Sequence, residues 1–168
     1  MPGKQLSCEP AASDGCAVRA ARRQVFLADW RLNPDFLLCR PPDAPVVLKD
    51  LLRAVALSGV EVYILLYKEA SEALQKKHRT AKIAAELSDL HSNIHVLRHG
   101  GGLENVYWSH HEKMVVVDQV VAFVGGMDLT EGRFDDFLHP VADEGHGFFP
   151  NSEYYQPNNP KMDKTDKA

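Results

Sequence analysis

The stretch that most constrains this chain is residues 108–136, WSHHEKMVVVDQVVAFVGGMDLTEGRFDD. It carries His111, Lys113 and Asp118 in the pattern H-x-K-x4-D. After six further residues come Gly125 and Gly126, with Asp128 two beyond the second glycine. Five such matches at fixed positions arise by chance in a chain of this size on the order of once in ten thousand. The combination outweighs the ordinary readings of its parts: a solvated His-x-Lys strand edge, an aspartate in a turn, a glycine pair after a strand.

The local pattern predicts a hairpin. Residues 114–117 and 120–124 are apolar and rich in β-branched side chains, so both read as strands. Asp118-Gln119 between them reads as a tight two-residue connection. His111 and Lys113 are two apart on the first strand and fall on one face. An imidazole beside an ammonium suits a phosphate: the first attacks or donates a proton near neutral pH, the second offsets charge on the oxygens. Asp118 has the opposite parity and sits at the turn, which makes it a scaffold residue more than a direct contact. Gly125 and Gly126 are expected to allow close backbone approach to a ligand, or positive φ.

Composition removes several alternatives. The net charge of −4 and a pI near 6.0 describe no basic nucleic-acid binder. Cys8, Cys16 and Cys39 are odd in number and lack a C-x-x-C spacing, which fits neither a disulfide scaffold nor a zinc site and suits a reducing cytosol. The opening residues hold no apolar segment of signal-peptide type, and no run approaches eighteen apolar residues. His95, His99, His110, His111 and Glu112 match no recognised metal-ligand spacing, so neither metal nor cofactor is expected.

Along the rest of the chain, residues 1–14 read as disordered, with Asp14 capping a short helix over 16–23. Residues 24–29 read as a strand that is apolar on both faces. Asp29 and Trp30 stand at its carboxyl end, where functional residues gather in parallel sheets. Trp30 is a candidate to line a substrate pocket, or a packing anchor. Leu48, Leu51, Leu52 and Val55 form a helix stripe ended by Gly59. Residues 60–67 are a buried strand, 69–90 a charged helix broken near 78–80, and 94–97 another strand. Gly100-Gly101-Gly102 lacks the G-K-[ST] of a phosphate loop. Residues 137–168 shift to Asn, Pro, Lys and Asp and read as a mostly disordered tail. The alternation of helix and strand predicts an α/β unit with parallel pairing, closed by the motif hairpin.

The motif and its flanks resemble the phospholipase D superfamily. W-S-H-H-E-K, A-F-V-G-G-M-D-L and G-R-F-D-D look like the first signature motif of eukaryotic phosphatidylcholine-hydrolysing phospholipases D. VFLADWRLNPDFLLCRP at 25–41 and GVEVYILLYKE at 59–69 fit the same group. The resemblance covers residues 15–136. It implies a layered α-β-α half-domain with a mixed sheet, one half of a phospholipase D-type catalytic domain. It implies His111 as nucleophile, Lys113 as phosphate ligand and Asp118 as the motif's third residue, orienting or structural. Gly125, Gly126 and Asp128 would then stand behind the direct contacts. The implied chemistry is hydrolysis or transphosphatidylation of phosphatidylcholine through a phosphohistidine.

The family's site takes two such motifs, and this chain has one. His78, His91, His95, His99, His110, His139 and His146 all lack a lysine two residues on. The resemblance thus implies a missing partner: a second catalytic half, or a second copy in a homodimer. The implied setting is cytoplasmic and peripheral at membranes, with phospholipid as substrate and no nucleic acid. The alternatives are an inactive truncated isoform or fragment, and a single-motif homodimeric phosphodiesterase of nuclease or cardiolipin type.

Overall fold

The structure, a computed structural model, describes residues 10–39, 45–69, 79–99, 109–130 and 132–133. Its frame is a five-stranded mixed sheet. In chain order the elements are α1 (Pro10–Arg19), β1 (Gln24–Asp29), β2 (Leu37–Cys39), β3 (Val46–Val47), α2 (Leu48–Leu57), β4 (Glu61–Leu66), α3 (Thr80–Ser88), β5 (Ile94–Arg98), β6 (Met114–Val117) and β7 (Val121–Val124). The sheet order is β5-β4-β1-β6-β7. β1, β4 and β5 run parallel, joined by crossovers, while β6 and β7 are antiparallel additions beside β1. This is the expected α/β class with parallel strands and a motif hairpin.

Alternation along each strand sorts side chains to two faces. Val25 and Leu27 of β1, Val62, Ile64 and Leu66 of β4, Ile94 of β5, and Val115 and Val117 of β6 join one buried cluster. The helices close it: Val18 from α1, Leu51, Leu52 and Val55 from α2, and Leu87 from α3. The α2 stripe read from the sequence is buried throughout, and Leu52 is 0% exposed. Ser58 is the C-cap of α2, and Gly59 follows at φ 93°, the left-handed stop that glycine supplies most easily. All three helices cover the same face. On the other face Phe26, Tyr63 and His95 stack in a row across β1, β4 and β5, with ring centroids 5.1 and 5.0 Å apart. They line an open, mostly apolar cleft of about 520 Å³ with Leu97, Glu112 and Met114. A helical layer over this face would fall outside the described residues.

Two boundaries differ from the sequence expectation. The first helix is Pro10–Arg19, not 16–23. The backbone amides of Arg22 and Arg23 donate to the Asp118 carboxylate at 2.9 and 2.8 Å, which takes them out of any helix. The small β2–β3 ladder has no counterpart in the sequence reading; Leu37 and Cys39 pair with Val47 and Val46. Residues 1–9, 70–78, 100–108 and 134–168, with the expected helix start after Glu69, the triple glycine, the Asp135-Asp136 pair and the expected tail, lie outside the described residues.

Candidate active site

The motif begins before its strand. β6 opens at Met114, so His111 and Lys113 lie in the segment leading into it and not on the strand itself. The Lys113 carbonyl still accepts from the Gly125 amide at 3.2 Å, which carries the ladder one step further. The two side chains diverge in exposure. His111 is exposed, while Lys113 is buried at 7%. They meet on Trp30. The His111 ring lies 5.1 Å from the indole, and the Lys113 ammonium 5.6 Å from the indole centroid, a cation–π distance. Lys113 Nζ also donates to the His111 carbonyl at 3.2 Å. Trp30, a candidate pocket residue from the sequence, therefore stands between the two chemical groups of the motif.

Behind Lys113 is a run of carboxylates. Lys113 Nζ is 2.8 Å from Asp128 Oδ1, with the two side chains 6% and 3% exposed. Arg133 Nε approaches the other oxygen of Asp128 at 3.5 Å. Asp128 directly precedes Leu129, whose amide donates to the Asp29 carboxylate. Asp29 is itself 1% exposed. Its Oδ1 accepts from the Trp30 amide at 2.7 Å, and its Oδ2 from the Leu129 amide at 2.8 Å. Burial pushes the Asp29 carboxyl up from its usual 3.8 to about 8; the Leu129 amide and the Lys113 charge act against that, and the neighbouring Asp128 adds to it. Asp29 is the residue that sequence reasoning placed at the strand end without a role. Its signal was there: a carboxylate closing the apolar run VFLA, followed by tryptophan.

Asp118 stands apart from this group. It sits at the opposite end of β6, with the four strand residues between it and Lys113, roughly 16 Å away at strand rise. Its Oδ1 accepts from the amides of Arg23 and Gln24, and its Oδ2 from that of Arg22. Those amides, Gln24 first, hold its carboxyl below the usual 3.8. Asp118 and Gln119 both take positive φ, 54° and 59°, and Val120 donates to the Val117 carbonyl at 3.0 Å. Three residues, not two, separate the paired positions Val117 and Val121. Its oxygens serve the entry of β1.

Of the two expectations for the glycine pair, positive φ is not met. Neither Gly125 nor Gly126 has positive φ, and a Cβ added at either would meet nothing within 4 Å. Within the described residues they border open space. The histidines do not converge. His95 pairs with Glu61 at 2.7 Å on the open sheet face. His99 and His110 stack at 5.4 Å, and burial lowers the His110 pKa. Among the described residues no group of three or more His, Cys, Asp or Glu is set to hold a metal ion, and no helix is long and apolar enough to cross a membrane.

The chain is similar to several known proteins. A family model described as Phospholipase D matches residues 17–166. The chain is 38% identical over 148 residues to "Phospholipase D A" of Dictyostelium discoideum, covering 87% of this chain and 11% of that protein. It is 39% identical over 150 residues to "Phospholipase D zeta 1" of Arabidopsis thaliana, covering 87% of this chain and 14% of the relative. It is 42% identical over 137 residues to "Phospholipase D1" of Homo sapiens, covering 77% and 12%. The chain thus spans about a tenth to a seventh of the length of these curated relatives. Among solved structures, NucT from Helicobacter pylori matches at a TM-score of 0.52 and 17% identity, covering 75% of this chain and 70% of that one, which is a likeness of fold. The family match over residues 17–166, a range that includes His111, Lys113 and Asp128, identifies the chain as a member of the phospholipase D family.

Proposed function

We propose that this chain supplies the nucleophilic half of a phosphodiesterase acting on glycerophospholipids, with phosphatidylcholine as substrate and a bilayer surface as workplace. One observation carries the proposal. An exposed histidine and a buried, ion-paired ammonium meet on one indole, with Lys113 Nζ 3.2 Å from the His111 carbonyl. A phosphodiester set against this pair finds a nucleophile free to approach and a cation that cannot wander.

The chemistry runs in two displacements. An imidazole nitrogen of His111 attacks phosphorus, the P–O bond to the leaving alcohol breaks, and that oxygen takes a proton from an acid. Water, or a second alcohol, then attacks the same phosphorus. The P–N bond breaks, and the proton of the attacking hydroxyl goes to the acid of the first step, now a base. Lys113 and Arg133 stabilise the charge on the non-bridging oxygens in both steps. The acid is the matching histidine of a second motif, which the sequence supplies only once. It therefore comes from another catalytic half or from a second copy of the chain. The printed names of the relatives support a lipid substrate over a nucleic acid.

The test is transphosphatidylation of short-chain phosphatidylcholine with a primary alcohol, over a wide range of protein concentration. Phosphatidyl alcohol formed more steeply than first order in protein supports a site built by two copies. Product that appears only when a second catalytic half is added supports a two-half enzyme. Folded protein that gives no product under either condition, yet cleaves a soluble nucleotide phosphodiester, would overturn the lipid assignment.

A further inference from the structure

We propose that the pocket between the end of β1 and the start of α3 is a second anion site, which takes a phosphomonoester dianion on Arg31, Arg79 and Lys82.

The pocket holds about 330 Å³, and these three cations stand on its walls. The wall that follows β1 is firmly held. Leu32 is buried in the core, and Ile83 of α3 packs against the same core. The Phe36 amide donates to the Asn33 carbonyl at 3.0 Å, and the Lys49 amide to the Pro34 carbonyl at 2.9 Å. The Asn33 amide donates to the Leu129 carbonyl at 2.8 Å, and the next residue, Thr130, closes the wall. Neither His111 nor Lys113 lines this pocket.

The charges around it do not cancel. Two carboxylates, Asp35 and Glu86, also line the pocket. Lys49 engages both: its ammonium is ion-paired to Asp35 and lies 3.8 Å from Glu86. Asp128, two residues before Thr130, is held by Lys113 and Arg133. Among the described residues no carboxylate is ion-paired to Arg31, Arg79 or Lys82. Four cations against two anions leave the pocket positive by two. A phosphomonoester dianion cancels that charge, and a phosphodiester monoanion cancels half of it. Two of the three free cations are guanidiniums, whose paired N–H donors match two phosphate oxygens at once.

The start of α3 adds to the same field. Arg79 is the N-cap residue at φ 57° and ψ 27°, a left-handed backbone that strains any side chain. It makes no side-chain cap, and the Thr80 amide is taken by Glu69. The amides of Ala81 and Lys82 are left at the positive end of the helix dipole, beside the Arg79 and Lys82 side chains.

The experiment is an NMR titration of the full chain with inorganic phosphate at about pH 8, where the dianion predominates. It follows the side-chain nitrogens of Arg31 and Arg79 and the amides of Ala81 and Lys82. We expect these signals to move together and saturate with a Kd of about 1 mM or below at low salt. Dimethyl phosphate, a monoanion, should act on them about tenfold more weakly. Arg79→Gly is the decisive variant, because glycine takes φ 57° without strain and only the cation is lost. It should weaken phosphate about tenfold with its Tm retained, and Lys82→Gln should do the same. Arg53→Gln removes an exposed charge from α2, outside the pocket, and should change little. Signals that ignore phosphate overturn the proposal. So does a response undiminished in Arg79→Gly and Lys82→Gln, or one diminished as much in Arg53→Gln. Sedimentation with phosphatidylcholine vesicles, with and without phosphatidate, separates the sources. Retention only by phosphatidate vesicles, lost in Arg79→Gly, assigns a lipid headgroup. Phosphate binding without retention assigns a free phosphate.

Discussion

Lys113 and Asp128 form an ion pair of 2.8 Å in which both side chains are almost wholly withdrawn from water. Removing one partner strands the other. Lys113→Ala should therefore destabilise the fold by about 3 kcal/mol, at the lower end of the range for broken buried pairs, since Arg133 still reaches Asp128. A Lys113→Met, Asp128→Leu double variant should recover most of that loss. Denaturant midpoints of the three proteins check this. A double variant as unstable as the single one would mean that the pair is not the source.

Turnover should respond differently. In whatever assembly is active, His111→Ala should abolish product and the covalent intermediate, because the route has no substitute nucleophile. Lys113→Arg should retain more activity than Lys113→Ala, which should lose roughly a hundredfold or more in kcat. Single-turnover kinetics with trapping of the phosphorylated protein read both. Unchanged turnover in His111→Ala would sink the assignment of the nucleophile.

Asp118 receives three backbone amides at a left-handed backbone position. Asp118→Ala should lower the Tm by several degrees, and Asp118→Asn by less, since asparagine tolerates the same φ and keeps one acceptor. Its carboxyl lies below 3.8 in the fold, so its stabilising share is full above that value and is lost as pH falls through the lowered one. The altered proteins should therefore lose less stability on acidification than the unaltered chain. Thermal melts from neutral to acid pH decide it.

Asp29 acts with the opposite sign. Its carboxyl is raised from 3.8 to about 8 in the fold. Its favourable share is thus complete below 3.8 and is withdrawn as pH rises through that window toward 8. The slope approaches about 1.4 kcal/mol per pH unit for one group. Asp29→Asn should flatten this part of the profile, seen in denaturation at several pH values. An unaltered slope would show that another group carries it.

Glu69 closes a second buried knot. Its carboxylate accepts from the Thr80 amide and hydroxyl at the start of α3, and from Arg98 at 2.8 Å at the end of β5. Burial pushes its pKa up, yet the Thr80 and Arg98 contacts outweigh it and leave the carboxyl below its usual 4.5. Glu69→Ala should cost about 3 kcal/mol and fray α3, and Glu69→Gln should cost less. Tm and the exchange of α3 amides measure the two effects separately.

What the sequence made legible follows physical range. β1, α2, β4, β5 and the hairpin were readable because their apolar periodicity is local and their burial simple. The end of α1 was not, because Arg22 and Arg23 are drawn out of the helix by Asp118, 96 and 95 residues away. Trp30 was readable as a candidate from its place at a strand end. Its partners, His111 and Lys113, were known only as a motif, and nothing local could bring them to the same ring. The tie between Asp29 and the loop after β7 was illegible for the same reason, since the Leu129 amide it accepts from is 100 residues away. Of the two readings of the glycine pair, positive φ is the one its backbone does not take.

The Asp118 clasp has a consequence for how the chain matures. Its three bonds close segments 94 to 96 residues apart, and they join the entry of the first strand of the sheet to the turn of the last hairpin. Closures of that span carry a large entropic toll and belong to the slow phase of folding. A chain emerging from the ribosome has β1, α2, β4 and β5 long before β6 exists to cover the free edge of β1. Until the motif itself is synthesised, that edge stays open to any passing strand, so the segment that bears the chemistry is also the one that covers the edge of β1.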